Sequence, residues 1–146
     1  MRSLTVLAFV TAVTTPAWAD DVTGTYDVKF EEMGQNCKPP PVALSRGRLT
    51  IAAKKGSLTV NIETIPELVG VPQKGGKINA KTLQGPLPTT VQGLDANYSI
   101  AGRIDDGGAL QLVLVTEYIR HDDKKPHCTQ SWNVTGARSS PIKPSR

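Results

Sequence analysis

The chain has 146 residues, with 17 Lys and Arg against 13 Asp and Glu and a formal net charge of +4. The basic excess sits at the two ends: Arg2 at the start, and Arg138, Lys143 and Arg146 in the Pro/Ser-rich stretch 137–146. Between them, thirteen basic residues face thirteen acidic ones. Such a balance leaves no electrostatic footprint for a phosphate backbone, so nucleic acid is excluded as an expected partner.

Residues 1–19 read as a secretory signal. Arg2 supplies a positive charge, residues 4–13 form an apolar run, and Ala17-Trp18-Ala19 forms an A-x-A cleavage site before Asp20-Asp21. The run is half of the roughly 20 residues needed to cross a bilayer, so no membrane insertion is expected. Export to the periplasm or the extracellular space follows. The expected organisation is a signal at 1–19, one β-domain at 20–138 and a disordered basic tail at 139–146.

After the signal the hydrophobic period is two. In residues 22–33, Val22, Gly24, Tyr26, Val28 and Phe30 share one face and Thr23, Thr25, Asp27, Lys29 and Glu31 the other, the pattern of a half-buried strand. Residues 48–53 and 57–63 flank Lys54-Lys55-Gly56 and predict a hairpin, with Leu49, Ile51, Ala53, Leu58, Val60 and Ile62 inward. Residues 68–71 lie between Pro66 and Pro72 and suit only a short or bent strand. Residues 77–82 form the next strand, and the Gly/Pro-rich stretch 83–95 reads as a long loop. Residues 96–104 and 109–120 surround Asp105-Asp106-Gly107-Gly108, a strong hairpin signal. The last strand is 128–137, with Cys128, Gln130, Trp132 and Val134 on one face.

Eight antiparallel strands joined mostly by short turns point to an all-β barrel or sandwich. Cys37 and Cys128 are the only cysteines, and export makes their pairing the expected state. In an up-and-down eight-stranded barrel the end of the first strand and the start of the last meet at the closing seam. Cys37 follows the former and Cys128 opens the latter, which favours the barrel.

Residues 120–136 hold both histidines, His121 and His127, around Asp122-Asp123-Lys124-Lys125-Pro126. The H-x5-H spacing lies at the edge of zinc-ligand patterns, and the disulfide claims Cys128. A solvated hairpin tip is the simpler reading, so no metal and no cofactor is assigned. Neither G-x-S-x-G, H-E-x-x-H, a P-loop nor G-x-G-x-x-G occurs. A non-catalytic protein is expected. Asn97 and Asn133 begin glycosylation sequons whose alternation places both outside.

Gly24-Thr25-Tyr26 on the first strand, with Trp132 and Arg138 in the last, resembles the calycin superfamily, the lipocalins and their relatives. In those, G-x-W stands on the first strand; here Tyr replaces Trp. The resemblance implies an eight-stranded barrel that holds a small apolar ligand in its cup or engages macromolecules through its rim loops. Small secreted protease inhibitors share this architecture. The residues expected to line a ligand pocket are Tyr26, Tyr98, Tyr118 and Trp132, with core packing as their other role. The alternative is a protein-interaction module or inhibitor of a secreted enzyme, working through rim loops such as 32–45 and 121–127. The lower barrel is expected to be filled, with a shallow opening at the Cys37–Cys128 end. Val113, Val115 and Ile119 form an apolar stripe on the outer face, which loop 83–94 or a partner must cover.

Overall fold

A computed structural model describes residues 22–38 and 40–139 of the chain. The predicted signal at 1–19 lies outside the described residues, as does the predicted tail apart from Ser139. The strands are β1 (Gly24–Gln35), β2 (Arg46–Lys54), β3 (Ser57–Ile62), β4 (Leu68–Gly70), β5 (Lys77–Lys81), β6 (Leu87–Pro88), β7 (Leu94–Ile104), β8 (Ala109–Arg120) and β9 (Pro126–Arg138). Each is antiparallel to its neighbours.

Pairing of β5 with β7 closes the ring β1-β2-β3-β4-β5-β7-β8-β9 into an eight-stranded barrel. The eight predicted strands are those of the ring. β6 lies inside the stretch read as loop, where Leu87 and Pro88 pair with Ala96 and Asp95 and extend the β7 edge beyond β5. The first and last strands are neighbours, in register from Tyr26 opposite Arg138 to Gln35 opposite Gln130, with a bulge at Met33. The disulfide joins Cys37 to Cys128 with a Cα–Cα distance of 5.2 Å. It crosses this seam.

The period-two pattern becomes burial. On β8, Leu110, Leu112, Leu114, Thr116 and Tyr118 point inward, while Gln111, Val113 and Glu117 face out. Trp132, Tyr26, Tyr118, Leu49, Ile51, Leu58, Leu68, Ile78, Ile100, Leu112, Leu114 and Gln130 are each below 2% exposed. Side chains with no accessible surface leave no water-sized void beside them, so this interior is filled at the close packing of protein cores. Each large aliphatic residue buried here contributes about 1.5–3 kcal/mol.

Small residues take places where strands approach closely. At Gly102, with φ +155°, an added Cβ would stand 2.2 Å from the Gln111 carbonyl oxygen of the neighbouring strand. That makes room for the backbone itself and not for a ligand. Ala80 is buried, whereas Ala53, expected inward, is exposed, because β2 has run past the end of the core there. Arg138, the last residue of the predicted β-domain, ends β9. Ser139 is also held, its N–H donating to the Thr25 carbonyl and its hydroxyl to Asp27 Oδ2 at 3.2 Å.

Candidate functional site

Register sorts the inward side chains of β7, β8 and β9 into rows. Ala96, Tyr118 and Cys128 form the outermost row at the disulfide end, and Tyr98, Thr116 and Gln130 form the next. Below lie Ile100, Leu114 and Trp132, then Gly102, Leu112 and Val134. The second row is polar and the rows beneath it are apolar. Burying polar side chains inside a barrel costs stability unless partners are found.

Two of these groups find partners. The Tyr118 hydroxyl donates to Gln130 Oε1 at 2.6 Å, and Gln130 Nε2 donates to the Val42 carbonyl at 3.0 Å. Burial pushes the Tyr118 phenol well above its ordinary range, with Tyr98 and then Glu32 adding electrostatically in the same direction. Tyr98 is pushed up by burial as well. Both phenols therefore stay neutral hydrogen-bonding groups. Thr116 differs: its hydroxyl is fully buried and has no hydrogen-bond partner among the described residues.

Residues 40–45 form a strap over this end. Val42 and Leu44 are partly buried against the core, and Gln130 holds the Val42 carbonyl from below. Sequence reasoning expects a shallow opening here; the strap packs against the core at this end, and a small groove lined by Tyr118, Cys128 and His127 remains beside it. The cause is the tether: Cys37 is fixed to the start of β9, and the Ser45 carbonyl accepts from the Phe30 N–H at 2.8 Å. Asn36 adds a third tie, accepting from the Thr129 N–H through its Oδ1 at 2.7 Å and donating its own N–H to the Thr129 carbonyl. Between these anchors, residues 40–45 pack Val42 and Leu44 on the core.

The opposite end is closed by different chemistry. Arg138 Nη2 donates to the Tyr26 hydroxyl at 2.9 Å, and that hydroxyl donates to the Val22 carbonyl at 2.8 Å. The guanidinium also lies 5.4 Å from the Tyr26 ring centroid.

The four residues singled out as pocket-lining are all buried, but they are not one site. Tyr98 and Tyr118 share the strapped end, Trp132 lies one row deeper, and Tyr26 belongs to the Arg138 end. Thr116 went unremarked in the sequence although it has the parity of Leu112, Leu114 and Tyr118; alternation alone would have placed it inside.

The histidine loop also carries a contact that no local motif announces. Asp95, buried on β7, meets His121 Nδ1 at 2.9 Å and Lys124 Nζ at 3.7 Å. The Gly93 carbonyl accepts from the His121 N–H. The tip of the β8–β9 hairpin is thereby tied to the loop before β7. His127 stands apart, lining a small groove with Ile119, Pro126 and Asn36. Among the described residues no group of three or more His, Cys, Asp or Glu is placed to hold a metal ion.

On the outer face, Val115 and Leu83 share an open groove of about 570 Å3 with Asn97, Ser99 and Glu117. Loop 83–94 thus flanks the predicted apolar stripe only in part: Val115 and Ile119 are half-buried and Val113 is 37% exposed. No described helix is long and apolar enough to cross a membrane. The disulfide fits an oxidising compartment.

These features define a closed antiparallel β-barrel with a filled interior and one disulfide-braced, strapped end. Comparison with protein-family models, with curated proteins and with solved structures finds no match to the chain.

Proposed function

We propose that this protein is a non-catalytic, lipocalin-like binding module of the periplasm or extracellular space, and that it engages a protein partner through the rim at its Cys37–Cys128 end. One observation carries this reading. Interior side chains with no accessible surface leave the barrel no standing cup, while the rim loops beside the disulfide are tied to the barrel by hydrogen bonds. Strap 40–45 is tied at both ends and in the middle. Loop 121–125 is braced by Asp95 and by the Lys124 N–H to Arg120 and Arg120 N–H to Lys125 bonds. Pre-organised loops lose little entropy on association, which is what an inhibitor of a secreted enzyme needs.

A small apolar ligand is the second reading, favoured by the neutral phenols of Tyr98 and Tyr118 near the mouth. Such a ligand needs a cavity of about 300 Å3 or more, so it requires movement of the strap.

The test is an inhibition panel of secreted serine, cysteine and metalloproteases against the purified chain. Substitutions at His121 and Lys124 should abolish inhibition while leaving the thermal midpoint nearly unchanged. Anilinonaphthalene sulfonate titration, followed through Trp132 fluorescence, is the parallel assay. Tight dye binding with no rim-dependent inhibition would replace the first reading with the second. Export is tested separately, by an intact mass that begins at Asp20.

A further inference from the structure

The polar row under the strap is costly as it stands. Thr116 lies between Tyr98 and Gln130 in register, is fully buried, and its hydroxyl has no partner among the described residues. A valine would fill the same space without that penalty. Unpartnered buried polar groups in an otherwise consistent fold mark places where something other than stability is served.

What now fills the mouth is a piece of the chain itself. Val42-Ala43-Leu44 offers two branched aliphatic side chains to the core and one backbone carbonyl to Gln130 Nε2. Ala43, between them, is exposed. That is how an extended aliphatic peptide presents itself to a receptor: alternate side chains into pockets, with backbone groups to polar side chains. The strap makes a single side-chain hydrogen bond to the barrel wall, and its neighbours in the row, Thr116 and Tyr98, make none to it among the bonds described.

We propose that the row Tyr98–Thr116–Gln130, with Tyr118 above it, is a binding site for a short neutral aliphatic peptide segment of the Val-x-Leu type, and that residues 42–44 occupy it as a built-in competitor. The inference deepens the protein-partner reading and rests on it: the partner's segment displaces the strap, takes over the Gln130 amide, and supplies the partner that the Thr116 hydroxyl lacks. The disulfide and the Phe30–Ser45 bond keep the displaced strap attached at both ends. Because the strap competes, the apparent affinity of the intact protein is lowered by the fraction of molecules in which the site is open.

The probe is the tripeptide acetyl-Val-Ala-Leu-amide, titrated into the purified chain. Trp132 fluorescence, one row below the site, and the backbone amide resonances of Thr116 and Gln130 report binding. Loosening the strap with Val42→Gly and Leu44→Gly should tighten binding about tenfold; Val42→Ala alone, a gentler change, should act in the same direction if the double variant does not fold. Thr116→Val should weaken tripeptide binding by about fivefold or more while raising the thermal midpoint, a crossing that a purely structural residue would not produce. Equal affinity in Thr116→Val and wild type, or no gain on loosening the strap, would overturn the site. Should acetyl-Asp-Ala-Asp-amide bind as well as the aliphatic probe, the assigned chemistry is wrong. If the tripeptide fails while rim substitutions still abolish protease inhibition, the strap site falls and the rim reading stands. Loss of both removes the common ground.

Discussion

Arg138 and Tyr26 stand opposite each other across the β1–β9 seam, the guanidinium donating to the phenol at 2.9 Å and lying over its ring. The same phenol is hydrogen-bonded to the Val22 carbonyl, so one tyrosine gathers the start of the first strand and the end of the last. Arg138→Ala should therefore destabilise the barrel by about 2–4 kcal/mol, the sum of a charge-assisted hydrogen bond and a cation–π contact. Urea denaturation checks it. Arg138→Lys should recover only part of the loss, because an ammonium does not reproduce the planar stack.

Thr116→Val should stabilise the protein by about 1 kcal/mol, since it removes a buried hydroxyl without a partner and keeps the volume. Tyr118→Phe should do the reverse, costing about 1–3 kcal/mol by leaving Gln130 Oε1 without its donor. Thermal unfolding of the two variants side by side gives opposite signs. A loss of stability in Thr116→Val would mean that the hydroxyl has a partner after all.

Removing the disulfide should be the most damaging single chemical change. The bridge spans a sequence separation of 91 residues, worth about 4–5 kcal/mol in the chain-entropy model. Cys37→Ser with Cys128→Ser should lower the urea midpoint accordingly. The same variant should also raise hydrogen exchange in residues 40–45 first, because the strap loses its covalent anchor.

Stability should decline in alkali. The Tyr118 and Tyr98 phenols are held above the ordinary range by burial, Tyr118 further by Tyr98 and Glu32. A group with a raised folded-state pKa keeps its full contribution below the unfolded value near 10. Above that pH the unfolded chain releases protons that the folded barrel retains, so unfolding gains. Denaturation measured from pH 8 to 11 should show falling stability, with a slope of at most about 1.4 kcal/mol per pH unit for each such tyrosine. Tyr118→Phe should make the decline shallower.

Asp95→Ala should loosen the 121–125 turn without unfolding the barrel. The carboxylate binds His121 and Lys124 on one side of the hairpin tip, and both side chains are solvent-exposed. The expected global loss is within about 1 kcal/mol, whereas amide protection at His121 and Lys124 should fall sharply. A global loss several times larger would show that the tip is part of the cooperative core.

The amino-acid sequence by itself determined the eight strands of the ring, most of their inward faces and the disulfide. The period of two in β1, β2, β3, β7, β8 and β9 is a local property, and any sheet that buries Tyr26, Ile51, Val60, Ile100, Leu114 and Trp132 must use that face. Parity and two cysteines then sufficed to seat the last strand beside the first. The candidate site was less legible. Tyr98 and Tyr118 were named, yet grouped with Tyr26, because alternation gives the face of a residue but not its height along the barrel axis. Height depends on strand tilt and stagger, which only the closed sheet fixes. The tertiary structure alone decided that Pro41 to Leu44 fold back over the mouth, that Asp95 reaches His121 from another hairpin, and that the Thr116 hydroxyl lacks a partner. Each of these joins residues far apart in the chain, and long-range contacts of that kind leave no local period to read.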